Sequence, residues 1–163
     1  MFHRRAYEFD FSEQEILAEA RNFAKNVSTI EFVSKDEMYG DNNMGVYSPS
    51  NHTIRINQDY YMAKENDKGF SLAMYSTLVH EVYHAINYRE NGDFGIIHQY
   101  KNGAISGSHM NEIVTESAAT RTTMTKSNED YQKGYMGTTG YQTTTCITNL
   151  LALAVGVSEK ELC

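Results

Sequence analysis

The sequence predicts an α+β domain, on three observations. Apolar residues recur every three and four positions through a long central stretch, residues 71–88. Short β-branched runs lie on either side of a Pro-Ser-Asn turn. Further helical patterns fill the C-terminal part. The arrangement expected is a small twisted sheet with a hairpin, packed on the long helix, with more helices behind it. With 163 residues and 40% hydrophobic content, a single domain over 1–163 with a real core is the expectation.

The elements follow in order. Ser12 with Glu15 forms a capping box, and Ile16, Leu17, Ala20, Phe23, Ala24 and Val27 continue at helical spacing. Thr29–Val33 is β-branched and short, a strand. Gly45–Ser48 and residues 52–57 flank Pro49-Ser50-Asn51 and read as a hairpin, with Ile54 and Ile56 inward and Arg55 outward. In the long helix Leu72, Tyr75, Val79, Val82 and Ile86 share one side, widened by Met74, Leu78 and Ala85. The opposite stripe, Ala73, Thr77, His80, His84, Asn87 and Asn91, is small or polar. A helix apolar over most of its girth is buried, so this stripe should line a cleft. Asn91-Gly92 ends the helix, and residues 92–109 read as a loop. A helix through Ile113, Val114, Ser117, Ala118 and Met124 runs to about Lys126. The last spans residues 141–155, through Cys146, Ile147, Leu150 and Leu151. The chain stops soon after, at Cys163, which leaves open a longer C-terminus.

Residues 80–84, His80-Glu81-Val82-Tyr83-His84, carry the chemistry. Helical residues four apart lie on one face, so both imidazoles can reach one ion at about 2.0–2.1 Å, the zinc–nitrogen distance. Glu81 lies about 100° round the helix, beside such an ion, where a carboxylate can take a proton from water. Tetrahedral zinc needs a third protein ligand and an open fourth position. Glu112, Glu90 and His109 are the candidates. Glu90 requires the helix to break after His84 although the apolar pattern runs on through Ile86. Glu112 opens a second helix and shares a side with Glu116 four residues on. One of that pair can bind the ion while the other accepts a hydrogen bond from the far ring nitrogen of a liganding His.

His80-Glu81-x-x-His84 followed by Asn111-Glu112-x-x-x-Glu116 resembles the gluzincin branch of zinc metallopeptidases, whose downstream motif is N-E-x-x-x-D. The second motif also looks like the N-E-x-x-T-E element of small predicted zinc peptidases of Firmicutes and their prophages. The resemblance implies a zincin-like fold, one Zn2+ per chain, Glu112 as third ligand and Glu116 orienting a histidine. Glu stands at 116 where the family has Asp, one methylene longer, so which glutamate touches the metal stays open. The gap of 27 residues between His84 and Glu112 is longer than the family's.

The expected activity is peptide-bond hydrolysis, with Glu81 activating a water and Tyr131, Tyr135, Tyr141 or His109 steadying the oxyanion. A zinc-binding interaction domain without catalysis, or a hydrolase of a non-peptide amide, are the alternatives. Structural zinc usually takes four protein ligands, often thiolates, and Cys146 and Cys163 lie far from the motifs without C-x-x-C spacing. A net charge of −7 with no Lys/Arg cluster argues against nucleic acid. No apolar run is long enough to span a membrane. The basic N-terminus lacks the apolar core of a secretory signal, so a cytoplasmic location is expected. The partner is then a peptide or protein substrate.

Overall fold

The computed structural model describes residues 1–2, 6, 9–38, 43–62, 68–90, 98–99, 105–123 and 138–162. Helix α1 (Glu13–Asn26) begins at the expected capping box. Ser12 Oγ accepts from the Glu15 N–H at 3.3 Å, and the Glu15 carboxylate accepts from the Ser12 N–H at 2.7 Å. Together they satisfy donors that have no partner within the helix. Strands β1 (Thr29–Val33), β2 (Gly45–Ser48) and β3 (Thr53–Asn57) form a mixed sheet of order β1-β3-β2. β2 and β3 are the antiparallel hairpin expected; β1 pairs with β3 in parallel, with Ile30 opposite Ile54 and Phe32 opposite Ile56. Ile54 and Ile56 are wholly buried, while Arg55 turns away and donates to Glu31 at 3.1 Å. Period-2 alternation thus decides which face meets the helices.

A short helix, α2 (Gln58–Met62), precedes α3 (Lys68–Asn87), which carries the His-Glu-x-x-His run. Beyond it lie α4 (Ser108–Thr123), α5 (Thr138–Val155) and α6 (Glu159–Leu162). Within the segment expected as loop, His98–Gln99 and Ile105–Ser106 pair as a two-stranded antiparallel ribbon. The α4 helix begins at Ser108, a turn earlier than Glu112, because the Asn111 N–H already donates to Gly107 O at 2.8 Å.

α3 is the centre of the molecule, packed against β2 and β3, α1 and α4. Two apolar clusters flank it. One joins Tyr47, Ile54 and Ile56 of the sheet to Val82, Ala85 and Ile86, with Phe23 and Val27 of the α1 end around them. The other joins Val79 and Tyr83 to Ala118 and Ala119 of α4 and to Phe9. Tyr75, expected on the apolar side, is 39% exposed.

The buried face of α4 is built from small and hydroxylic residues, Thr115, Ser117, Ala118, Ala119, Thr120 and Thr122. Such a face lets two helices approach closely. Some of its hydroxyls find partners on the helix itself, as where Thr123 Oγ1 donates to Ala119 O at 3.0 Å, while Thr122 Oγ1 pairs with the Tyr83 phenol of α3. At its C-terminus α3 is tied to α1. The side-chain amide of Asn26, 4% exposed, donates to Ala85 O at 2.8 Å and Tyr88 O at 3.1 Å, capping carbonyls that the helix leaves open. Among the described residues no helix is long and apolar enough to cross a membrane.

Candidate metal centre

Three groups from two helices meet over the polar stripe of α3. One helical turn apart, His80 and His84 stack edge to face with ring centroids 4.7 Å apart. Their Nε2 atoms are 3.0 Å apart. From α4, the Glu112 carboxylate lies 3.1 Å from His80 Nε2 and 3.3 Å from His84 Nε2. His80, His84 and Glu112 thus form a cluster capable of coordinating a metal ion. Four ligands held about 2.0–2.1 Å from a tetrahedral ion stand roughly 3.3 Å from one another, close to the spacing seen here. The donor set, two imidazoles and a carboxylate, is one that zinc accepts.

The far side of His80 is also held. Its Nδ1 lies 2.9 Å from Glu116 Oε2, and Thr120 Oγ1 donates to the other Glu116 oxygen at 3.5 Å. The two glutamates of α4 therefore grip opposite nitrogens of one ring. Burial works against a charged His80, but the hydrogen bonds to Glu112 and Glu116 outweigh it and raise its pKa to about 10. The same bonds to His80 and His84 hold Glu112 well below the usual carboxylate range. Asn111, 3% exposed, brings its side-chain amide within 3.4 Å of His84 Nδ1. Asn111 was not among the site residues expected, although its place in the motif next to Glu112 was the signal available.

Glu81 is 6% exposed, and burial raises its pKa despite the attraction of His80 and His84. A cavity of about 380 Å³ opens over it, bordered by Asn43, Gly45, Val46 and Tyr47 on the strand side and by His84, Asn111 and Glu112 on the helix side. β2 lies at the end of the sheet order and supplies the wall. A zincin-like fold implies that the hairpin at 45–57 borders the cleft, as β2 does here; which of its residues meet Glu81 is not legible in the sequence, because no local pattern ties residue 45 or 47 to residue 81.

The remaining candidates fall elsewhere. Glu90 is exposed and paired with Lys25 at 2.7 Å, outside the cluster. His109 is exposed in the first turn of α4 and does not join it either. Tyr141 lies on α5 at a position described by its backbone only, and Tyr131 and Tyr135 lie outside the described residues. Comparison with protein-family models, curated proteins and solved structures finds no match to this chain, so the two motifs and their geometry carry the functional argument alone.

Proposed function

We propose that the chain is a zinc-dependent metallopeptidase with a zincin-like domain of the gluzincin kind. The observation that carries this reading is the convergence of His80 Nε2, His84 Nε2 and the Glu112 carboxylate beside the buried carboxylate of Glu81, at one cleft. Three ligands with an open side fit a catalytic centre better than a structural one, which closes its coordination with four protein groups.

His80, His84 and Glu112 would hold one zinc per chain. Glu116 accepts a hydrogen bond from His80 Nδ1–H, which leaves the Nε2 lone pair for the metal. Asn111, whose Nδ2 faces His84 Nδ1, would do the same for His84 once its amide turns Oδ1 to that nitrogen. Bound there, zinc supplies a Lewis acid that polarises a carbonyl and lowers the pKa of water toward about 7. Glu81 takes one proton from the attacking water and delivers it to the departing amine as the C–N bond breaks. Its burial favours this, since a carboxylate of raised pKa is a stronger base. The cleft is bordered by Gly45, Val46 and Tyr47 of β2, a strand that would flank an extended peptide.

Elemental analysis of the purified protein should find about one zinc per chain, lost in His80→Ala and His84→Ala. Glu81→Gln should keep fold and zinc while losing at least ~10²-fold in the rate of cleaving a peptide library. A protein that takes up no zinc, or an active Glu81→Gln variant, refutes the reading.

A further inference from the structure

The carboxylate of Glu81 rests against the outer edge of β2, and two positions on that strand meet it. A Cβ added at Gly45 would lie 3.0 Å from both Cγ and Oε1 of Glu81, and 2.7 Å from Thr77 Cγ2. Any larger residue at 45 therefore competes for the space the carboxylate occupies. Two residues on, the Tyr47 backbone N–H hydrogen-bonds that same carboxylate. The phase of the hairpin makes this possible. The Asn57 N–H donates to Met44 O at 2.9 Å across the ladder. Residues 44, 46 and 48 thus turn their backbone groups toward β3, and 45 and 47 turn theirs outward to α3.

Tyr47 is anchored from its other end. Its phenol donates to Asn26 O at 3.0 Å, while the Asn26 amide holds the last carbonyls of α3. The strand that meets Glu81 and the helix that carries it are therefore tied to one residue at the end of α1. A glutamate has three rotatable bonds and, left free in a cleft, samples many positions. A general base must lie within hydrogen-bond reach of the proton it takes, and a displacement of about 1 Å costs on the order of 10²-fold in rate.

We propose that Gly45 and the Tyr47 amide are positioning elements for Glu81: β2 leaves room at 45 and donates at 47, and so fixes the carboxylate beside the His80–His84–Glu112 cluster. The competing account gives Gly45 a packing role only, as the residue that accommodates Thr77.

Amide hydrogen exchange on the metal-free protein, read by NMR, tests the hydrogen bond without any activity. The Tyr47 amide is protected in the wild type and exchanges at least about tenfold faster in Glu81→Ala, as expected for loss of a bond to a charged acceptor. Glu81→Gln, which keeps an acceptor oxygen, retains the protection, and the Val46 and Ser48 amides stay unchanged throughout. Gly45→Ala, which displaces the same carboxylate, loses the protection as well. Equal Tyr47 exchange in wild type, Glu81→Ala and Gly45→Ala overturns the proposal.

The kinetic arm rests on the peptidase reading. Gly45→Ala lowers kcat about 10²-fold and leaves KM and zinc affinity unchanged. Adding Thr77→Ser removes the methyl group 2.7 Å away and does not restore kcat, because the collision with Glu81 remains. Recovery of kcat in the double variant overturns the proposal in favour of simple packing. A wild-type protein that binds zinc and cleaves no peptide defeats the proposed function instead, and the exchange experiment then decides the positioning by itself.

Discussion

Removing one α4 carboxylate at a time separates a metal ligand from a group that only orients one. Glu116 Oε2 sits 2.9 Å from His80 Nδ1, on the side of the ring away from the cluster. Its loss leaves the three proposed ligand atoms in place and frees the imidazole to rotate. Partners of that kind contribute about 10–100-fold to metal affinity, or about 1.4–2.7 kcal/mol. Glu112 faces both Nε2 atoms, at 3.1 and 3.3 Å. Its truncation removes one of three ligand atoms and the sole anionic one among them, so the loss should exceed the upper end of that range. Glu112→Ala should therefore bind zinc more weakly than Glu116→Ala. Competition titrations against a chelator at fixed pH measure this, with circular dichroism confirming that both variants fold. Melting temperature gives an independent reading, since a hundredfold excess of zinc over its dissociation constant is worth about 2.7 kcal/mol to the folded state. If Glu116→Ala proves the weaker binder, the longer carboxylate arm reaches the metal and the two roles must be exchanged.

Two further outcomes follow from contacts outside the cluster. Asn26→Ala leaves the Ala85 and Tyr88 carbonyls without their shared donor and should cost about 2–4 kcal/mol. A thermal melt should then fall by roughly 5–15 °C; a shift under 2 °C would show that water caps α3 equally well. Glu15 is held down to about 2 by its hydrogen bonds to the Ser12 side chain and backbone and by Lys160. A carboxylate depressed on folding stabilises above its unfolded value and loses that contribution as pH falls toward the folded value. The melting temperature of the metal-free protein should therefore decline between about pH 4.5 and 2 more steeply in the wild type than in Glu15→Gln, and matching slopes would sink the argument.

Local patterns alone determined much of this protein. The Ser12–Glu15 box lies within one turn, the alternation of Ile54, Arg55 and Ile56 within one strand, and His80 and His84 are one helical turn apart, so backbone periodicity places each without reference to the rest of the chain. Glu112 and Glu116 share a side of their helix for the same reason. Their sorting onto opposite nitrogens of His80 depends on how α4 lies across α3. That packing follows from a buried face on which Val114, Ser117 and Ala118 are legible at helical spacing, whereas Thr115, Thr120 and Thr122 read as polar and hide their burial. The parallel pairing of β1 with β3, the Asn26 cap on α3 and the contact of Gly45 and Tyr47 with Glu81 join residues 24 to 62 positions apart. Such contacts leave no period in a single sequence, because they arise only when separate elements bury their apolar faces together and bring unrelated edges into register.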